Sequence, residues 1–416
     1  RRGRKSAGRA ERESMGSYEI RTLTPADAHA NRTLMSHAFS RGRVVTQDPD
    51  KAEDADYGKD TRGLFEGGKL AASLTIRPFA VHWGAERTVP MGGIAGVASF
   101  AEARGQGFVD ALMKDSLHQM RARGEVVSSL YPFAFAFYRR YGWDWVGEER
   151  TVILPLRELR SAPEGRSVRA IPAEEGRGAL EPAYTEFARR YRGLFTAETH
   201  QWNRSLDPSD GRAAHVYGFG GDDDRSPESY LTWRFDGSGK GGEVREFVVN
   251  SPAGFRGLLS LLYYLGTQCD KARLTMPSDL PLWAHLMHWD LETRLGPVFM
   301  ARVVDVAAAF ERLGGADGTV SDGECLLRVR DEHAPWNDGL FRVAAEGGNV
   351  SCSPVVGGGA EPDVSMDITA LSQAFWGTPS LDWLRGAGRL DVRSEPGYRA
   401  LAAVLPAANV FTLDAF

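Results

Sequence analysis

The sequence predicts an α+β protein in three parts: two successive units of like element order and a smaller third. Three observations lead there. Strand-like alternation and amphipathic helices follow one another through roughly the first 160 residues in the order of a layered sheet-and-helix domain. The same order starts again at Ser167-Val-Arg-Ala-Ile171. A length of 416 residues also exceeds one ordinary core and asks for two or three domains.

In the first unit, Tyr18-Glu-Ile-Arg-Thr-Leu23 alternates like a strand. Thr24-Pro25-Ala26-Asp27 then reads as a helix start. Thr24 is a good N-cap, Pro25 suits the first helical position, and Asp27 returns the capping-box bond, with helix to about Phe39. Strand-like runs cover 62–65, 69–77, 87–91 and 94–100. The last leads through Ala103-Arg104-Gly105-Gln106-Gly107-Phe108 into a helix whose apolar face carries Val109, Leu112, Met113, Leu117 and Met120. A strand over 126–131 ends at Pro132. A short helix over 135–141 and a strand near 151–154 close the unit.

Residues 161–166 read as a linker. The second unit has a helix near 177–191, strands at 230–235 and 243–249, a helix at 253–266 and a strand at 272–276. Its helix entry, Asn250-Ser-Pro-Ala-Gly-Phe255, has no glycine-rich loop, so the unit reads as a degenerate repeat of the first. From Phe299 a third region offers a helix to Leu313, strands near 325–329, 341–344 and 350–352, and helices near 369–376 and 381–387. The expected divisions are a basic tail 1–16, then 17–160, 161–298 and 299–416.

Composition is that of a globular chain, 42% hydrophobic and 25% charged, with no apolar run long enough to cross a bilayer. Residues 1–14 carry arginine and lysine without an apolar stretch, so they read as a disordered tail rather than a secretory signal, with nucleic-acid contact as the alternative. Cys269, Cys325 and Cys352 have no metal or disulfide spacing and fit small core residues in a reducing cytoplasm. The net charge is −5, and the six basic and two acidic residues of 1–14 leave the body at about −9. Such a body suits cationic small molecules and disfavours nucleic acid.

The chemistry-bearing segment is Arg104-Gly105-Gln106-Gly107, between a strand and a helix. Backbone N–H groups at a helix start cradle an anion, and glycines let a pyrophosphate approach. It is neither a Walker loop, which needs Lys-Ser/Thr, nor Gly-x-Gly-x-x-Gly; an ordinary strand–helix turn is the alternative. Downstream, Phe137-Tyr138-Arg139-Arg140-Tyr141-Gly142-Trp143 offers two phenols. A tyrosine hydroxyl with a pKa near 10 is able to protonate a leaving thiolate; Tyr141 reads better as a core aromatic, and Tyr138 stays open between core and acid at this point. The sequence stops in Asn409-Val-Phe-Thr-Leu-Asp-Ala-Phe416, which predicts an α-carboxylate fixed at the end of a packed segment.

The loop, the tyrosine segment, the loop-less second unit and the terminal phenylalanine together resemble the Eis (enhanced intracellular survival) family of GNAT acetyltransferases, over residues 17 to 416. Arg104 and Gly107 match the acetyl-CoA signature. Val109 stands where a small residue is usual, and Ala103, Gly105 and Gln106 are uncharged where the family is richer in arginine. The resemblance implies two tandem GNAT-like domains followed by a sterol-carrier-protein-like domain, in which Asp363-Val-Ser-Met-Asp-Ile-Thr-Ala-Leu371 and Gly386-Ala-Gly-Arg-Leu390 supply strand and helix phrases. It implies acetyl-CoA as cosubstrate, held by Val97, Ala98, Ser99, Arg104, Gly105, Gln106, Gly107, Phe108, Val109, Asp110, Phe133 and Ala134, with no metal. It further implies Tyr138 as acid, the Phe416 carboxylate as base, a polyamine-type acceptor such as an aminoglycoside, and a hexamer; the cysteines add the expectation of a cytoplasmic location, the acidic body that of no nucleic-acid partner, and the lack of a long apolar run that of no membrane partner. Deprotonated amine would attack the thioester, a backbone N–H near Val97 would hold the oxyanion, and Tyr138 would protonate departing CoA. A protein-lysine acetyltransferase and a non-catalytic lipid-binding scaffold are the competing readings.

His285 and His288, three apart, lack a third zinc-ligand phrase. Asp222-Asp223-Asp224 is too short for a calcium loop. Most tryptophans, Trp143 and Trp376 among them, read as core, with one or two free to floor an acceptor cavity.

Overall fold

The computed structural model describes residues 18–40, 57–84, 87–172, 175–206, 214–220, 226–287, 291–314, 320–357 and 359–416. The basic tail, Asp222-Asp223-Asp224 and His288 lie outside the described residues. The strands are β1 (Tyr18–Thr22), β2 (Thr61–Glu66), β3 (Lys69–Trp83), β4 (Thr88–Ser99), β5 (Val127–Leu130), β6 (Asp144–Pro155), β7 (Val168–Ile171), β8 (Arg192–Phe195), β9 (His215–Phe219), β10 (Ser229–Phe235), β11 (Gly241–Val248), β12 (Lys271–Pro277), β13 (Glu292–Val303), β14 (Gly323–Arg330), β15 (Gly339–Glu346), β16 (Asn349–Pro354), β17 (Val364–Asp367) and β18 (Leu390–Val392).

Among the described residues, thirteen strands form one sheet that both units share, in the order β1-β2-β3-β4-β5-β13-β6-β12-β11-β10-β9-β7, with β8 on β3. The junction is β13. It pairs antiparallel with β5 from Met300↔Leu130 to Val303↔Val127 and with β6 from Glu292↔Ile153 to Ala301↔Asp144. Residues 298 and 299 therefore lie inside one strand, and the stretch that begins the third region in the sequence reading belongs to the large sheet up to Val303. The third region proper is a five-stranded sheet, β16-β15-β14-β17-β18, with helices Ile368–Trp376, Leu381–Gly386 and Glu395–Val404.

The helix starts follow their caps. Thr24 and Asp27 close the capping box, with the Thr24 N–H donating to Asp27 Oδ2 at 2.8 Å, before a 3-10 turn passes into the helix Ala28–Phe39. On the helix Phe108–Ala122, Phe108, Leu112, Met113, Leu117 and Met120 are buried while Val109 stays at the rim. The helix Ile368–Trp376 is buried on nearly every side because it lies between the two sheets. Its Ser372 Oγ accepts the Val303 N–H at 2.9 Å and its Gln373 amide donates to Trp145 O at 3.0 Å. Trp376 and Phe375 join Trp83, Met91, Val127 and Phe299 with Leu327 and Leu401 in one core that welds the third region to the first unit. Such a buried aromatic is worth roughly 3–5 kcal/mol against truncation to alanine.

The expected strands 87–91 and 94–100 are a single strand, β4. Gly92 and Gly93 run through its middle because side chains are excluded on both faces. A Cβ at Gly92 would meet Met120 Sδ at 2.4 Å, and one at Gly93 would meet Phe79 and Phe416 at 2.6 Å. The strand near 151–154 extends back to Asp144, and the helix over 135–141 stops at Arg139. No helix among the described residues is long and apolar enough to cross a membrane.

Candidate active site

A fork in the large sheet is the centre of the site. Strands β4 and β5 run parallel and are paired from Met91↔Val127 to Ile94↔Leu130, where the pairing ends. Beyond Ile94, β4 continues to Ser99 against β3 alone, so the edge carrying Val97, Ala98 and Ser99 faces the gap left by β5. A bulge sits at the fork. Thr75↔Ala95 is followed by Ser73↔Ala98, one residue more on β4 than on β3, and Gly96 takes φ +57° there. Phe133 and Ala134 follow β5 on the other side of the gap, Phe133 with 71% of its surface exposed.

At the open end, the chain leaves β4 through a 3-10 turn at Ala101–Ala103 and reaches the helix Phe108–Ala122 through Arg104 to Gly107. Gly105 and Gly107 both hold φ +79°, and a Cβ at either would meet nothing within 4 Å. The glycines are thus required by backbone conformation and not by space. The result is an exposed N-terminus of a 15-residue helix, where free N–H groups and the helix dipole favour an anion. Arg104, Gly105 and Gln106 are exposed, Phe108 anchors the turn in the core, and Asp110 is held by Lys114 Nζ at 2.6 Å. The structure therefore brings the predicted cofactor residues from β4, the loop and the segment after β5 to the border of one fork.

Tyr138 lies in the short helix Phe135–Arg139, 3% exposed, in the cluster that also holds Ile94, Leu130 and the edge of Val97. Its ring meets Phe133 and Phe137 at centroid distances of 5.3 and 5.0 Å. Burial pushes its phenol up to about 12, so it is protonated at any working pH. Tyr141 is buried beside it, also raised to about 12 by burial and then by the Asp110 charge.

Phe416 stands on the opposite face of β4. Successive residues of a strand point to opposite sides: Ile94 faces the Tyr138 cluster, and Gly93 faces the Phe416 ring. That ring packs on Phe79, Tyr131 and Phe195 at 4.9, 5.5 and 6.1 Å. The tail reaches it across the second unit: Arg192 N–H donates to Asn409 O at 2.9 Å, and Phe411 N–H to Arg192 O at 3.0 Å. The Asp414 carbonyl accepts the Tyr131 hydroxyl.

Beside this tail opens a cavity of about 210 Å³, lined by residues 412–415 with Tyr131, Glu149, Glu243, Arg245 and Thr275. Arg245 Nε pairs with Glu243 at 3.0 Å. Burial raises the Glu149 carboxyl to about 7, against the opposing pull of Arg273 and Arg294. Sequence reasoning missed these residues. They come from the residue after β5, from β6, β11 and β12 and from the tail, and no local spacing links them. His285 ends a 3-10 turn and packs on Phe255 at 5.0 Å, and among the described residues no group of three or more His, Cys, Asp or Glu side chains is arranged to hold a metal ion.

Comparison with known proteins agrees with the geometry. The family model described as an acetyltransferase (GNAT) domain matches residues 19–146, a second acetyltransferase (GNAT) model matches 193–303, and a sterol carrier protein domain matches 306–412. An uncharacterized N-acetyltransferase of Streptomyces avermitilis is 26% identical over 348 residues, covering 79% of this chain and 82% of the relative. One of Streptomyces griseus is 25% identical over 406 residues, covering 90% and 94%. Among solved structures, a GCN5-related N-acetyltransferase from Anabaena variabilis superposes with a TM-score of 0.81 at 20% identity, over 96% of this chain and 100% of that one. Eis1 from Mycobacterium abscessus superposes at 0.76 and 20% identity over the same shares. Below 25% identity these two likenesses speak for the fold.

Proposed function

We propose that this chain, which belongs to the GNAT N-acetyltransferases in their Eis-like architecture, transfers acetyl from acetyl-CoA directly to amines of a polyamine-type acceptor such as an aminoglycoside. The observation that carries the reading is the fork, with Tyr138 clustered on one face of β4 and Phe416 seated on the other. Acetyl-CoA would enter from the helix side, pyrophosphate on Gly105 to Asp110 and pantetheine along Val97 to Ser99. The acceptor would enter from the cavity beside the tail, where Glu149 offers a carboxylate to a cation while Glu243 is paired with Arg245.

In that arrangement an acceptor ammonium first gives its proton to the α-carboxylate of Phe416. The free amine attacks the thioester carbonyl, and a backbone N–H at the Gly96 bulge donates to the oxygen as it becomes an oxyanion. Collapse breaks the C–S bond and Tyr138 gives its proton to sulfur; the second proton, shed by the newly acylated nitrogen, restores the phenol through solvent, so one proton is released overall. A phenol near 12 matches this task because a thiolate expelled into apolar surroundings is itself a strong base.

The third unit serves here as a structural carrier of the tail, which its filled core around Trp376 and Phe310 supports. Three buried, unpaired cysteines fit a cytoplasmic location. A hexamer follows from the family resemblance, and light scattering checks it. The function is tested by CoA-thiol release with a panel of multi-amine acceptors, on protein whose chain ends at Phe416. Tyr138→Phe and deletion of Phe416 are each expected to lower kcat by roughly 10²-fold or more at unchanged acetyl-CoA affinity. Undiminished turnover without Phe416 would remove the base assignment, and no release with any amine would redirect the search to protein lysines.

A further inference from the structure

Two residues before Phe416, the tail enters a buried polar network that the transfer chemistry does not use. Asp414 Oδ2 lies 2.8 Å from His200 Nδ1, and each side chain retains 1% of its accessible surface. The other imidazole nitrogen, Nε2, lies 3.1 Å from Glu246 Oε1. Glu246 Oε2 also accepts the Tyr230 hydroxyl at 2.6 Å, and Asp414 Oδ1 accepts the Gln201 N–H at 2.8 Å. Tyr184 stacks on the imidazole at 4.2 Å and 24°. Ionised carboxylates only accept hydrogen bonds, so an imidazole facing one at each nitrogen is held as the doubly protonated cation.

The network is asymmetric in a way that bears on the site. Through its side chain Asp414 is bound to the second unit, at His200 and Gln201. Through its backbone carbonyl it is bound to the first, at Tyr131 beside the fork. The neighbouring Phe411 is held differently, its ring on Phe187 and Tyr191 and its N–H on Arg192 O, with no charged group involved. Buried ion networks add little net stability but restrict geometry when every partner is satisfied. Two further residues extend at most about 7 Å, so fixing Asp414 confines Phe416 to a small volume.

We infer that the His200–Asp414 pair is the latch that sets where the Phe416 carboxylate stands, with His200 a positioning residue that never touches substrate. The inference rests on the reading of that carboxylate as the base. It also assigns a task to the second unit, which lacks a phosphate loop: it supplies the fixed half of the latch.

A double-mutant cycle on full-length protein tests it, with His200→Gln and deletion of Phe416 made singly and together, and with kcat, acceptor KM, acetyl-CoA affinity and thermal unfolding measured for each. The latch predicts that folded His200→Gln binds acetyl-CoA as before and loses roughly 10–100-fold in kcat, the range expected for misplacing a reacting group by about 1 Å. It also predicts that His200→Gln adds no further loss once Phe416 is absent. A folded His200→Gln protein with full kcat would overturn the latch and leave the base assignment intact. Equal losses in both backgrounds would overturn it too, by showing a merely structural role. Full turnover of the Phe416 deletion alone would overturn the base assignment and the latch's purpose together. Should His200→Gln fail to fold, Asp414→Asn is read by the same criteria.

Discussion

Replacing Gly93 with alanine moves Phe416 without altering it. Gly93 sits in β4, its backbone paired with Arg77 of β3 and Ser129 of β5. Its φ is not in the left-handed region, so alanine is free of backbone strain there. A Cβ at this position comes within 2.6 Å of Phe416 Cε2, 2.6 Å of Phe79 Cε2 and 2.9 Å of Phe416 Cζ. Carbon atoms rest about 3.5–4.0 Å apart, so the rings must retreat by roughly 1 Å. Phe79 is wedged on Phe195 at a centroid distance of 4.3 Å, whereas Phe416 stands 6.1 Å from Phe195, so Phe416 is the ring with room to give way. Overpacking of this kind costs about 1–3 kcal/mol of stability. A 1 Å error in a reacting group costs about 10²-fold in rate. Steady-state CoA release should therefore show kcat down by about two orders of magnitude, with acetyl-CoA affinity by calorimetry unchanged and a melt lowered only modestly. A Gly93→Ala protein with wild-type kcat, its crystal structure showing the Phe416 ring displaced, would refute the dependence of catalysis on that seat.

Three other outcomes are expected. Gly107→Ala meets no atom within 4 Å but must adopt φ +79°, which costs roughly 1–2 kcal/mol and disturbs the helix start; acetyl-CoA affinity should weaken while kcat at saturation holds, and unchanged affinity would take the loop out of the binding site. With its carboxyl raised to about 7, Glu149 gains charge as pH rises through neutrality, so acceptor KM should fall between about pH 6 and 8; Glu149→Gln should flatten that profile, and an identical profile would exclude Glu149 from acceptor binding. Although burial opposes it, the Glu246 and Asp414 carboxylates raise His200 to about 9. A raised folded-state value means the stabilisation is complete below about 6.5 and is lost as pH climbs through about 9; urea unfolding should show that loss, and His200→Gln should remove its pH dependence.

What the sequence disclosed divides by range. The loop was legible because Gly105 and Gly107 stand side by side with a strand before them and a helix after. The helix Phe108–Ala122 was legible because its period is local. The join of β4 was not, since its two glycines look like an interruption until Met120 and Phe416 are seen on either face. The reach of β13 into the first unit depends on hydrogen bonds to strands some 150 residues earlier, and a run such as Phe299-Met-Ala-Arg-Val-Val304 says only that it is buried. The latch was equally silent. His200, Glu246 and Asp414 share no spacing, and each alone reads as an ordinary polar residue. Tyr138 and Phe416 came from resemblance, and the structure supplies the physical relation between them, two faces of one strand.

The place of β13 bears on how the molecule is made. A piece comprising 17–160 alone would contain the fork, the loop and Tyr138, yet the facing edges of β5 and β6 would lie bare where β13 belongs. Open strand edges recruit other chains, so such a fragment should precipitate instead of working as a minimal enzyme. During synthesis β13 emerges only after the strands of the second unit, β7 to β12, have been made, and the gap stays open until then. The nascent first unit spends the interval as a sheet with a missing rung, and chaperone capture there would govern yield.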